Sequence, residues 1–160
     1  MAQRKYNIAL KIGTLIPGFN GYLERSDRRN SEKIFRDQNA TLLEQTEKAI
    51  IILQKSLLAP EHFESLQQWE MVRKAINTII PKFRHAAYGV SSFFSKEKIK
   101  EGELEEILNL DEEIVTRIQL IYKASENEIN EALSAQLIIQ NLQEIENLLL
   151  QRSVFIANYK

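Results

Sequence analysis

The chain of 160 residues contains no cysteine, which excludes a disulfide-built scaffold, a thiolate metal site and a cysteine nucleophile together. Glycine and proline are scarce, five and three residues, and this argues against a many-turned β architecture and for long uninterrupted helices. Histidine occurs twice, as His62 and His85, and neither has glutamate three residues before it. The Glu-x-x-His pairs of a carboxylate-bridged di-iron bundle are therefore missing. Two histidines without cysteine also serve zinc poorly. Phosphate loops, dinucleotide fingerprints and serine nucleophile elbows are absent as well. No stretch approaches the ~18 apolar residues of a bilayer span, since even Ile50, Ile51, Ile52 and Leu53 are bracketed by Lys48 and Lys55. The start of the chain has neither the apolar region nor the small-residue cleavage pattern of an export signal. No catalytic residue, metal or cofactor is expected, and the location implied is cytoplasmic.

What is present is the balance of an ordinary folding chain, 44% apolar and 27% charged, long enough to bury a core as one domain spanning 1–160. Residues 1–22 form an N-terminal amphipathic segment and a Gly/Pro turn. Ile8, Ile12, Leu15 and Ile16 share one face of a short helix with lysines beside it. This face either docks on the rest of the domain or lies on a membrane surface. Three of the five glycines crowd residues 13–21, which read as a turn outside any helix.

A long helix is expected over about 26–58, capped by Ser26 or Asp27 and carrying Phe35, Leu42, Ala49, Ile50, Leu53 and Leu57 on one side. Pro60 ends it and opens a third helix, with Leu66, Trp69, Val72, Ile76, Ile79 and Ile80 at helical spacing. Pro81 should kink or stop that helix. Residues 82–100 read as irregular with one or two short turns, 101–109 as a brief acidic helix, and Asp111 as the cap of another. The capping box Ser125-Glu126-Asn127-Glu128 places a restart before a second long helix over about 126–157. Its wide apolar arc, with Leu133, Leu137 and Leu148 on one flank and Ile138, Leu142, Ile145, Leu149 and Ile156 on the other, marks it as the central helix. The fold class is all-α, an elongated four- or five-helix bundle with two long helices and shorter ones around them.

Two small motifs carry little. Gly18-Phe19-Asn20-Gly21 spells an RNA-backbone clamp that requires a neighbouring sheet, and Asn39-Ala40-Thr41 is a glycosylation sequon lying mid-helix.

The charge is unevenly placed. Up to Arg36 there are eight basic residues against three acidic, a net +5, and beyond it thirteen against nineteen, a net −6. The basic start of the second helix can lie against the acidic 101–113 segment. Nucleic acid is not expected as a partner, because the acidic remainder offsets the basic one. Arg25, Arg29, Glu32 and Arg36 fall in one narrow stripe as an i,i+4 ladder. Arg28 instead stands in register with Phe35 and Leu42, so its guanidinium points at the edge of the core. There it should pair with a carboxylate, with Asp111, Glu106 or Glu105 as candidates, or await an anion.

The stretch 21–37 resembles the early motif of a family of prokaryotic all-helical proteins with no established function: Gly-Tyr, a charged run, Arg-Arg, then an acid and an arginine. Gly21, Tyr22, Arg28, Arg29 and Arg36 match it, whereas Glu32 stands in place of aspartate and Ser26 in place of glutamate. Residues 84–111 are similar to a second block of that family, a basic-aromatic-glycine segment followed by a short acidic helix ending in aspartate. His85, Tyr88, Gly89, Phe94, Leu104 and Asp111 occupy it, with two alanines before the tyrosine. The resemblance implies an all-helical fold and two places to look, and no function.

Three functional readings follow. The leading one is a non-enzymatic helical interaction or adaptor domain whose partner is protein, self or other. The alternative is binding of an anionic, phosphate-bearing small molecule at an arginine cluster near the start of helix two, with Arg25, Arg28, Arg29, Arg36, Arg84, His85, Tyr22 and Tyr88 as contacts. The third is peripheral membrane association through residues 1–16.

Overall fold

A computed structural model of the chain describes residues 2–87, 89–96, 99–126 and 135–159. Among these residues it is all-helical: α1 (Ala2–Leu15), α2 (Arg28–Ser56), α3 (Phe63–Arg84), α4 (Val90–Ser95), α5 (Glu101–Glu126) and α6 (Ala135–Asn158), with single 3₁₀ turns at Arg25–Asp27 and Pro60–His62. Four helices make a closed ring in which α2 packs on α3 and α5, and α6 packs on the same two. Gln54 bonded to Glu70 at 2.9 Å and Arg36 bonded to the Phe83 carbonyl at 3.2 Å fix α2 and α3 as antiparallel. Arg117 bonded to Asn141 and Arg152 bonded to Asp111 do the same for α5 and α6. The expected all-α bundle is thus met by this ring with α1 laid along α5, but the two longest helices among the described residues are α2 and α5, not α2 and α6.

The order of the ring puts α3 and α5 on a diagonal, so the chain between them must cross one end of the bundle. α4 is that crossing, packed on α2 and α6, with Val90, Phe93 and Phe94 buried beneath it. The six-residue helix therefore closes the core at one end, where a direct turn would have left the core open.

Several sequence expectations are corrected. α5 is continuous through Asp111, which lies completely buried in its middle and caps nothing. Asp111 sits four residues after Ile107 and three before Ile114 on the buried stripe, so an ion pair holds it inside where a cap would have left it at the surface. α3 runs through Pro81 to Arg84. The lost amide costs one bond near the helix end, while burial of Phe83 and the Arg36 bond to its carbonyl hold the final turn. Gly13 belongs to α1 and not to the turn. α6 is one wall of the ring and not its centre, and Leu137 on it is exposed. Asp27 occupies the cap position of α2 without a side-chain bond to a helix amide. The proposed restart at Asn127 and Glu128, together with Leu133, lies outside the described residues.

α1 runs parallel to α5 and buries Ile8, Ile12 and Ile16 against it. Arg4 meets Glu105 at 3.2 Å, Lys5 meets Glu101 at 3.3 Å, and Lys11 pairs with Glu112. The polarity of the chain is thus neutralised internally, by α1 on α5 and not by the start of α2. The face offered to a bilayer is covered. No helix among the described residues is long and apolar enough to cross a membrane.

The turn after α1 brings Tyr22 into the core. Gly21 has φ of 73°, in the left-handed region, and a Cβ there would lie 2.8 Å from the Cβ of Ala9. Glycine is needed on both counts. Its bareness lets the loop lie on α1, which aims the next residue inward.

Candidate functional site

Beneath α4, a polar junction joins α2, α5 and α6 to the loop after α1. Arg152, on α6, donates from Nε to Asp111 at 2.6 Å and from Nη2 to the Tyr22 hydroxyl at 3.3 Å. Its Nη1 meets Glu32 at 3.5 Å, and the guanidinium lies over the Phe35 ring, 4.8 Å from the centroid. The Tyr22 hydroxyl donates to Asp111. Glu32 also accepts from Arg36 Nε at 2.8 Å. Tyr22, Glu32, Asp111 and Arg152 are all buried.

Burial works to lower the Arg152 pKa, but Asp111, Tyr22 and Glu32 outweigh it and hold that pKa above the ordinary arginine value. Burial, then the neighbouring charge of Asp111, push the Tyr22 pKa well above its ordinary value. Tyr22 is thus a neutral donor around neutral pH, and the two arginines offset the two carboxylates. A junction satisfied in this way orients side chains and fixes helix register; it offers no free acid or base for proton transfer.

Arg28 does not take the carboxylate partner expected of it. It is buried and donates to the Tyr22 carbonyl at 2.6 Å and the Lys96 carbonyl at 3.2 Å, which clips the loop before α2 to the end of α4. Burial, and then the charge of Arg25, lower its pKa. Of the carboxylates expected for it, Asp111 belongs to Arg152 and Glu105 to Arg4, and Glu106 does not reach it. The expected i,i+4 pair of Glu32 with Arg36 forms at 2.8 Å, yet Glu32 is 3% exposed, because Arg152 arrives from α6 to share it.

The candidate contact residues are not one cluster. Arg25 is exposed and reaches the Ser95 carbonyl. Arg84 lies on the outer side of the hairpin with Glu44 at 2.9 Å and Asp37 at 3.6 Å. Tyr22 is sealed in the core, and Tyr88 lies outside the described residues. Arg29, Arg36 and His85 remain at open clefts.

Of the clefts around the start of α4, two share Arg36. The larger, about 620 Å³, lies between the ends of α3 and α6; Pro81, Ala87, Leu149 and Leu150 form apolar walls over the buried Phe35 and Phe83, with Arg36, Arg152 and His85 among its polar groups. The smaller, about 270 Å³, is lined by Arg29, Asn30, Glu32, Lys33, Arg36, Val90, Ser91 and Phe94. Arg36 and Val90 belong to both. Arg36 spends Nε on Glu32 and Nη1 on the Phe83 carbonyl, so its other terminal nitrogen has no protein partner among the described residues.

Arg152 is the residue that sequence reasoning missed. It follows Leu148 by four and precedes Ile156 by four, in register with the buried stripe of its helix. The register test applied to Arg28 finds it equally well.

Comparison of the chain with models of protein families, with curated proteins and with solved structures gives no match.

Proposed function

We propose that the protein binds a small organic molecule in the cleft between the ends of α3 and α6. The observation that carries this reading is the cleft itself: about 620 Å³ of concave space with apolar walls and a few convergent polar groups at its base. That is the size and character of small-molecule sites, typically about 300–1,000 Å³ with few orienting polar groups. Another cleft, about 750 Å³, runs between α1 and α5, but no member of the buried junction lines it. At the α3–α6 cleft, the polar junction supports the wall from behind. A ligand would meet side chains already held in place, which lowers the cost of ordering them.

Thermal denaturation against a panel of anionic and apolar metabolites tests this, since a ligand of the folded state raises stability by RT ln(1 + [L]/Kd). A saturable rise in Tm is expected, and Ser153→Trp, which fills the cleft from α6, should abolish it. A shift that survives Ser153→Trp would place the ligand elsewhere.

A second reading, protein association, is favoured by the opposite end of the molecule. None of residues 51–68 is buried, and Ile52, Leu58 and Phe63 are 69%, 72% and 61% exposed. Light scattering across a concentration series should show self-association that Leu58→Ser with Phe63→Ser removes. A monomer at all concentrations would count against a self-associating role.

A further inference from the structure

The two clefts differ in character, and together they describe a molecule with two unlike parts. The larger is walled by the accessible apolar side chains of Pro81, Ala87, Leu149 and Leu150, with Phe35 and Phe83 buried beneath them. The smaller carries three cations, Arg29, Lys33 and Arg36, against one carboxylate, Glu32, and that carboxylate is already engaged by Arg36 and Arg152. Arg29 and Lys33 are exposed, and neither has a carboxylate partner among the described residues. Asn30 and Ser91, also exposed, add neutral hydrogen-bonding groups on the same cleft. Such a set suits the several acceptor oxygens of a phosphate, which take charge-assisted bonds from arginine and lysine. Arg36 stands on the boundary with one terminal nitrogen unspent.

We propose that the ligand is an amphipathic phosphate: a phosphoryl head held by Arg29, Lys33 and Arg36 in the smaller cleft, joined to an alkyl or aryl body that passes Val90 into the larger one. This rests on the small-molecule reading above and narrows it to a chemical class. The head alone gains too little, because Arg29 and Lys33 are solvated and their attraction is screened at physiological salt. The body alone leaves the cationic cleft filled with water. Affinity requires both parts on one molecule, because the second contact is then made at high effective concentration.

The experiment is calorimetric titration of the full chain with decyl phosphate, decanol and inorganic phosphate below the micellar range, followed by hexyl and octyl phosphates. Decyl phosphate should bind at least about ten-fold tighter than decanol, the equivalent of ~1.4 kcal/mol, and far tighter than inorganic phosphate. Each methylene added between hexyl and decyl should strengthen binding by up to about four-fold, the transfer value of a buried CH₂. Arg29→Gln combined with Lys33→Gln, both exposed and remote from the core, should remove the advantage over decanol while leaving decanol binding unchanged. Equal affinity for decyl phosphate and decanol overturns the phosphate head and leaves the apolar cleft standing. Binding of inorganic phosphate as tight as that of decyl phosphate overturns the apolar body. If neither decanol nor decyl phosphate binds, the small-molecule reading falls with it. Sedimentation with phosphatidate-containing vesicles separates the sources of the same headgroup: pelleting on vesicles without binding of monomeric decyl phosphate overturns the soluble-ligand assignment.

Discussion

The two ends of the four-helix ring are built on opposite principles. At the end closed by α4, Tyr22, Glu32, Asp111 and Arg152 are buried together and bonded to one another across α2, α5, α6 and the loop after α1. At the far end, the tip of the α2–α3 hairpin leaves residues 51–68 without a buried member. Ion pairs near the two ends differ accordingly. Arg73 and Glu70 lie 2.5 Å apart but are 29% and 35% exposed, so solvent screens their attraction and entropy opposes it. Arg152 and Asp111 lie 2.6 Å apart at 6% and 0% exposure, where loss of one partner strands a charge. Short distance is common to both; only burial makes one of them costly to break.

The largest expected effect is therefore at the closed end. Asp111→Ala leaves Arg152 buried with a weaker partner and should cost about 3–5 kcal/mol, measured by urea denaturation. A cost below about 1 kcal/mol would mean that water reaches the junction and that the two ends are alike. Next comes Tyr22→Phe, which removes the donor to Asp111 and should cost about 1–3 kcal/mol near neutral pH.

The same residue gives the closed end a pH signature. Because the folded pKa of Tyr22 is raised, its contribution is complete below the unfolded value of about 10 and is lost as pH rises from there toward the folded pKa. Stability should fall above pH ~10 by up to about 1.4 kcal/mol per unit from this group. Urea midpoints at pH 8, 10 and 11 should show a shallower decline for Tyr22→Phe than for the parent chain, and an equal decline would assign the alkaline loss to other tyrosines. The smallest effect belongs to the open end, where Ile52→Gln should stay within about ±0.5 kcal/mol. A loss above about 2 kcal/mol on dilution-independent unfolding would show that the hairpin tip is packed after all.

Much of this architecture was legible in the sequence. The scarcity of glycine and proline pointed to helices, the 3–4 spacing of Val72, Ile76 and Ile79 located the buried face of α3, and the i, i+4, i+8 spacing of Ile8, Ile12 and Ile16 located that of α1. Two of the corrections share one cause. Asp111 as a cap and Pro81 as a helix stop are each what the local rules favour. In each case a side chain from another helix supplied what the local rule lacked: Arg152 compensates Asp111, and Arg36 secures the carbonyl of Phe83. Arg28 shows the converse. Its burial was readable from its register with Phe35, but its partners are backbone carbonyls, which no sequence pattern marks.

The amino-acid sequence by itself determined the helical class, the buried faces of α1 and α3 and the exclusion of cysteine chemistry, because these depend on composition and on a periodicity that each segment carries alone. Tertiary structure decided which charges are interior, which helix partners which, and where two clefts meet around Arg36. Those outcomes depend on distances between segments far apart in the chain. A buried ion pair exists only when both partners arrive at one place, and the diagonal crossing of α4 brings the walls of the clefts there together.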